Sequence, residues 1–181
     1  MRGKGTGQDP ESRRGKAGGN RRVIIPVIIL AIAGIGIYFG LAERAAEDDL
    51  PIRAAWIEPQ VGGDVVSFPV SEVENNRNIH FLVETQSRAM HFMAYVWNGK
   101  IYIRANVCPP CLGIGYSLRR GILVCDMCAT TFEAATGDGI RGACVDYPKA
   151  AVPYEIIDGS IVTKKADLVV AYENTLEPGW P

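Results

Sequence analysis

The chain has 181 residues, of which 48% are hydrophobic and 22% are charged, and its net charge is -1. This length allows one domain of ordinary size with appendages rather than two full domains. The charge is unevenly distributed, because residues 1–22 contain seven Arg or Lys and only two acidic residues. A basic tail is compatible with a nucleic-acid arm, but an uncharged apolar run follows it directly. We therefore expect a membrane rather than a nucleic acid as the partner of this end.

Residues 23–41 form that run, and nineteen apolar residues are long enough to cross about 30 Å of hydrocarbon as a helix. Residues 1–22 lack apolar side chains, which predicts a disordered tail. Because basic residues remain on the cytoplasmic side, we expect a single-pass protein of the cytoplasmic membrane with its N-terminus inside. The rest of the chain then lies outside the cytoplasm, on the periplasmic side in a Gram-negative cell.

Two features of this end are also compatible with an export signal instead of a retained anchor. Gly40-Leu41-Ala42 has the small-x-small pattern of a cleavage site, and Arg21-Arg22 resembles a twin-arginine signal. The apolar run is longer than the usual core of a signal peptide, so a retained transmembrane helix is the preferred interpretation.

A linker at residues 42–63 and a domain at residues 64–181 follow. Alternating β-branched and aromatic residues predict strands at 64–70, 79–84, 90–97, 100–107, 122–124, 152–157 and 160–165. Asn98-Gly99 and Asp158-Gly159 each separate two of these runs, which predicts two tight antiparallel hairpins. The best helix candidate in the domain is residues 165–172. The pattern therefore predicts a mostly β domain.

Four cysteines in two Cys-x-x-Cys loops dominate the domain: Cys108, Cys111, Cys125 and Cys128. Thirteen residues separate the loops, and each loop directly follows an apolar run. This spacing brings four thiolates to one point, as a zinc site or an iron-sulfur cluster requires. We therefore predict that these four cysteines bind a metal centre, with the choice between zinc and a [2Fe-2S] or [4Fe-4S] cluster left open.

The cysteines are also compatible with other uses. Two disulfides are possible in an oxidising compartment, and a zinc ion could merely hold the loops together in a module for protein interaction. A thiol-disulfide protein using Cys108 and Cys111 is a further alternative, since Cys-Pro-Pro-Cys occurs in such enzymes. Gly113 and Gly115 stand where such an enzyme has its helix, which disfavours that alternative.

Five further side chains and one more cysteine are candidates for the surroundings of the centre. Cys144 is either a small buried residue or an additional sulfur beside the cluster. His80 and His91 lie in predicted strands, where packing is the more common role of a lone histidine. Arg119 and Arg120 are most simply a solvated turn, although near a cluster they would raise its reduction potential. Tyr116 is the last candidate for a neighbour of the metal centre.

The chain resembles the FtrD-like membrane iron-sulfur proteins over residues 65–168. The matching segments are 66–73, 90–99, Cys108-x-x-Cys111, Gly115-Tyr116, 123–128, Phe132 and Gly142-Ala143-Cys144. The resemblance implies that both Cys-x-x-Cys loops bind a cluster, and it implies service to an iron-uptake system. This chain departs from the family pattern at Ala143 and at Val145-Asp146.

The order of strands, Cys loops and closing hairpin is also similar to Rieske ferredoxin domains, in which His replaces the second Cys of each pair. This similarity implies a Rieske-like antiparallel β-sandwich or barrel, which follows the one N-terminal transmembrane helix predicted from the apolar run. All-thiolate ligation gives a more negative potential than mixed ligation. We therefore expect a membrane-anchored electron carrier rather than an enzyme, with a redox or iron-transport protein of the membrane as its partner.

Overall fold

The computed structural model describes residues 50–85 and 88–179. The predicted tail and the predicted transmembrane helix at 23–41 lie outside these residues. No helix within the described ranges is long and apolar enough to cross a membrane. The expectation of a mostly β domain is confirmed, because the described residues form twelve strands and two helices.

The elements follow one another in this order: β1 (Ala55–Ile57), β2 (Gln60–Gly62), β3 (Val65–Pro69), α1 (Val70–Asn76), β4 (Asn78–Glu84), β5 (Ala89–Trp97), β6 (Lys100–Ala105), β7 (Tyr116–Arg119), β8 (Ile122–Cys125), β9 (Thr131–Glu133), β10 (Gly139–Arg141), β11 (Glu155–Ile157), β12 (Ser160–Lys164) and α2 (Lys165–Leu176). They form three four-stranded sheets in the orders β1-β4-β5-β6, β10-β9-β8-β7 and β11-β12-β3-β2. All pairings are antiparallel except that of β1 with β4.

Both predicted hairpins are confirmed. Asn98 and Gly99 connect β5 to β6, and Asp158 and Gly159 connect β11 to β12. All four residues have positive φ, as the tight two-residue turns of antiparallel hairpins require. A third turn of this kind, at Arg120-Gly121, joins β7 to β8 and places the two arginines at the end of the hairpin remote from Cys125.

Strand β5 separates two packing clusters, because its alternate side chains point to opposite faces. Met90, Phe92 and Ala94 join the larger core formed with β3, β4, β6, β12 and α2. Met93 and Tyr95 join a smaller core that contains Cys108, Cys125 and Cys144 together with Tyr116, Leu118, Leu123, Phe132 and Ala134. The cysteine region is therefore built directly against the central sheet.

The structure differs from the expected elements in four respects. Strands β1 and β2 lie within the range expected to be a linker, at residues 42–63. The strand expected at 64–70 ends at Pro69, because α1 begins at Val70 and turns Val73 into the core. The predicted helix at 165–172 is confirmed and extends to Leu176. Strands β7, β9 and β10 were not predicted, since three or four residues are too short for a clear alternation.

Candidate metal centre

The first cysteine loop follows β6 and closes on itself through the backbone. The Cys108 N–H donates to the Gly113 carbonyl at 2.8 Å, so the loop from Cys108 to Gly113 is a closed turn. Leu112, directly after Cys111, takes a positive φ of 58°. This turn brings the two sulfurs of one Cys-x-x-Cys pair to the same side of the chain.

The second loop repeats this construction at the end of β8. The Cys125 N–H donates to the Thr130 carbonyl at 2.9 Å, and the Ala129 N–H donates to the Cys125 carbonyl at 2.9 Å. Ala129, directly after Cys128, has a positive φ of 56°. Both Cys-x-x-Cys loops are therefore closed turns with a left-handed residue after the second cysteine.

A third loop carries Cys144 to the same place. The Cys144 N–H donates to Thr130 Oγ1 at 3.3 Å, which ties this loop to the second one. Gly142 has a φ of 128°, and a Cβ on it would lie 2.5 Å from Thr130 Oγ1. Thr130 itself is fully buried. The approach of the third loop thus depends on a glycine and on one threonine hydroxyl.

Five sulfurs converge where these loops meet. The Sγ atoms of Cys108, Cys111, Cys128 and Cys144 all lie within 4.8 Å of one another. Cys125 Sγ lies 3.8 Å from Cys111 Sγ, and Cys144 Sγ lies 3.8 Å from Cys128 Sγ. None of the five is in a disulfide. A tetrahedral ion with bonds of about 2.3 Å to sulfur needs sulfurs about 3.8 Å apart, so the thiols are spaced for a metal centre.

The pKa values of the thiols differ with their surroundings. Burial strongly raises the pKa of Cys108, and burial raises the pKa of Cys125 to about 11 although the backbone N–H groups of Met127 and Cys128 act against it. Burial also acts to raise the pKa of Cys128, but hydrogen bonds from Thr130 and from neighbouring thiols lower it to about 6. Without a metal the buried thiols hold protons, so metal binding releases protons and weakens as the pH falls.

A scan against protein families matches one family model over residues 73–174, which is more than half of the chain. That model describes FtrD-like membrane iron-sulfur containing proteins. This chain belongs to the FtrD-like family. The resemblance stated from the sequence is therefore confirmed. No protein with a curated description matches the chain.

Solved structures give only distant likenesses. A chain of the complex of reduced oxygenase and oxidized ferredoxin in carbazole 1,9a-dioxygenase is 15% identical, with a TM-score of 0.41 over 48% of this chain and 80% of that chain. A ferredoxin of Sphingomonas yanoikuyae B1 is 17% identical, with a TM-score of 0.40 over 64% and 97%. The cyanobacterial plasma membrane Rieske protein PetC3 from Synechocystis PCC 6803 is 13% identical, with a TM-score of 0.41 over 53% and 94%.

The other candidates from the sequence take different places in this family member. Tyr116 is buried beside the sulfurs, and its hydroxyl donates to the Val107 carbonyl at 3.3 Å. Neither histidine joins the compact sulfur group. Arg119 and Arg120 are exposed. Of these five side chains, the structure places Tyr116 alone against the sulfurs.

His80 is a buried side chain of the central sheet. Trp56 makes edge contacts with both His80 and His91, at centroid distances of 5.2 and 5.8 Å. One ring nitrogen of His80 bonds the Tyr116 backbone, while Nε2 has no hydrogen-bond partner in the described part of the chain. Burial lowers the pKa of His80 to about 4, against a smaller opposing effect of Asp126. His80 is therefore neutral at physiological pH.

Sequence reasoning missed three buried polar residues that tie the cysteine loops to neighbouring segments. Thr130 connects two loops, Lys149 donates to the Val107 carbonyl at 2.8 Å, and Arg104 donates to the Lys149 carbonyl at 2.7 Å. Arg104 lies in a predicted strand between hydrophobic residues, and this placement was the one available signal for it. Thr130 and Lys149 lie in segments without periodicity, which gave no sign of burial.

Gly113 allows two sulfurs to approach the first loop. A Cβ there would lie 2.9 Å from Cys125 Sγ and 3.2 Å from Cys111 Sγ. We expect Gly113→Ala to reduce the metal bound per chain and to destabilise the domain by about 1–3 kcal/mol, as overpacking does. Gly115→Ala is the control, because its Cβ would meet the exposed Asp126 carboxylate, which can move. Equal metal content in Gly113→Ala and Gly115→Ala would contradict this account.

The low pKa of His80 predicts a pH-dependent stability. The unfolded chain binds a proton near pH 6.5 and the folded chain only near pH 4, so the free energy of unfolding falls as the pH drops through this window. Between pH 7 and pH 5 this loss amounts to about 2 kcal/mol. His80→Gln, which keeps a side-chain N–H but does not titrate, should remove that part of the slope. Denaturant unfolding of both proteins at each pH measures the difference, and parallel curves would refute the prediction.

Proposed function

We propose that this chain is an iron-sulfur electron-transfer protein whose centre is held by Cys108, Cys111, Cys125 and Cys128. The observation that supports this most strongly is the convergence of three loops on one group of unpaired thiols. Membership of a family described as iron-sulfur containing favours iron over other metals. The set is the one that the spacing of the two Cys-x-x-Cys loops predicts.

The choice of Cys125 rather than Cys144 rests on the local backbone. Two N–H groups, those of Met127 and Cys128, donate to the Cys125 sulfur and stabilise its thiolate form. Hydrogen bonds of this kind also tune the potential of a cluster. Cys144 then lies beside the centre, 3.8 Å from the Cys128 sulfur, as a fifth sulfur that does not bind iron.

An iron-sulfur centre bound here would be oxidised and reduced by one electron. The surrounding residues determine from which side a partner can reach it. Cys108 and Cys125 are buried, whereas Cys111 and Cys128 are half-buried and face the solvent side. Leu112 and Met127 on the same two loops are 80% and 68% exposed. The electron would therefore pass through this apolar edge to a partner that docks on the loops.

The family name supports association with a membrane. We infer that residues 23–41 anchor the chain in the cytoplasmic membrane as a retained single span, with the cysteine domain on the extracytoplasmic side. The partner on this reading is a redox or iron-transport protein of the same membrane, and the role is service to iron uptake. Protease added outside spheroplasts should remove the cysteine domain if this orientation holds.

A zinc-stabilised module is the second candidate, and one observation favours it. The compact group of Cys108, Cys111, Cys128 and Cys144 fits a single tetrahedral ion, whose sulfurs all lie close together. In a cluster with several irons, ligands of different irons lie further apart. The iron-sulfur proposal therefore requires Cys125 as the fourth ligand, whereas the zinc module requires Cys144.

Variants of the two cysteines separate these candidates. We expect Cys125→Ser to lose iron and acid-labile sulfide, because a ligand is removed, and Cys144→Ser to retain both. Iron, zinc and sulfide analysis of each protein, purified without oxygen beside the parent, measures this. Loss of one zinc per chain in Cys144→Ser with retention in Cys125→Ser would support the zinc module and contradict the iron-sulfur proposal.

A further inference from the structure

Two positively charged side chains are buried in the domain. Lys149 is 1% exposed and Arg104 is 3% exposed, whereas no Asp or Glu side chain within residues 50–85 and 88–179 is buried. A buried cation without an anion is costly, because the low dielectric of the interior does not replace its hydration. These two residues therefore indicate a negative charge that the carboxylates of the described chain do not supply.

Lys149 reaches into the smaller core. Its Nζ donates to the carbonyl of Val107, the residue before Cys108, at 2.8 Å. The same atom lies 4.5 Å from the ring centroid of Phe132 and 5.4 Å from that of Tyr116. Phe132 and Tyr116 belong to the packing cluster that contains Cys108, Cys125 and Cys144. The ammonium group of Lys149 therefore lies within the packing cluster that contains the buried cysteines.

Arg104 forms hydrogen bonds with the backbone segment that carries Lys149. Its guanidinium donates to the carbonyls of Lys149 and Ala135 at 2.7 Å each and to the Tyr95 hydroxyl at 2.9 Å. The Tyr95 hydroxyl in turn donates to the Ala134 carbonyl. A Cβ on Gly137 would lie 2.3 Å from the Lys149 carbonyl oxygen, so only glycine allows this approach. These contacts hold the Lys149 backbone in place. The groups that contact the Lys149 ammonium are all uncharged.

The sulfurs provide the missing negative charge. Four thiolates outweigh the positive charge of a zinc ion or of an oxidised iron-sulfur core, so the loaded centre is anionic. Burial lowers the pKa of Lys149 to about 8, while the charges of Cys108, Cys125, Cys144 and Cys111 act to raise it. An anionic centre beside Lys149 therefore favours the protonated form of its ammonium group.

We propose that Lys149 is the buried counter-ion of the thiolate centre, and that its charge both retains the metal and raises the reduction potential. The part of this proposal that concerns potential rests on the proposed iron-sulfur function. Reduction adds one electron to the core and hence one negative charge, which a fixed nearby cation stabilises. Metal binding converts neutral thiols into an anionic centre, which the same cation also stabilises.

Three variants at Lys149 separate charge from packing. Lys149→Gln keeps a donor for the Val107 carbonyl and removes the charge, Lys149→Met removes both, and Lys149→Arg keeps the charge. Lys100→Met is the matched control, because Lys100 is an exposed lysine at the β5–β6 turn. If Lys149→Met does not fold, Lys149→Gln carries the test alone.

Two measurements are made on the metal-loaded proteins. In a potentiometric titration with dithionite, we expect Lys149→Gln to show at least a tenfold lower ratio of reduced to oxidised centre at a fixed ambient potential, or a midpoint 59 mV lower for one electron. In a chelator challenge, we expect at least tenfold weaker metal retention. Lys149→Arg and Lys100→Met should remain within about threefold of the parent in both measurements.

The outcomes distinguish this inference from the proposed function. If the parent contains zinc and no iron, the iron-sulfur function fails, and the chelator challenge still tests the counter-ion. If Lys149→Gln matches Lys100→Met in metal retention, and in potential where iron is present, the proposal is overturned. It is also overturned if Lys149→Arg loses as much as Lys149→Gln, because the shape of the side chain would then matter rather than its charge.

Discussion

The gathering of several sulfurs in a small volume is the constraint on which the rest of this domain depends. Each Cys-x-x-Cys loop is closed by its own backbone hydrogen bond and continued by a left-handed residue, and the Asp126 N–H of the second loop donates to the Gly115 carbonyl just after the first. The third loop is different, because it relies on Thr130 and on Gly142. Strand β5 supports all three loops by turning alternate side chains toward the sulfurs and toward the main core.

Charge is the second constraint, and it follows from the first. Thiolates that converge inside a protein repel one another and lose hydration, so a metal centre and nearby donors must stabilise them. The chain supplies backbone N–H groups at Cys125, a hydroxyl at Cys128 and a buried ammonium at Lys149. Each of these acts on the sulfurs without binding the metal, as the groups around a metal's ligands commonly do.

The sequence predicted the parts that depend on local pattern. All seven expected strands appear, and Asn98-Gly99 and Asp158-Gly159 form turns because both residues of each pair take positive φ. The two Cys-x-x-Cys loops were predicted from spacing alone. The position of Cys144 was not decided by the sequence, since no local pattern brings residue 144 to residue 128. Lys149 and Thr130 were missed because burial of a polar side chain depends on tertiary partners that lie far away in the chain.

The central claim is that the thiols hold a redox-active iron-sulfur centre rather than an inert ion. Electron paramagnetic resonance and visible absorption of the full chain, purified without oxygen and then reduced with dithionite, test it most directly. We expect a brown protein that contains iron and sulfide, and whose absorption and spin state both change on reduction. A colourless protein with one zinc per chain and no response to dithionite would contradict it.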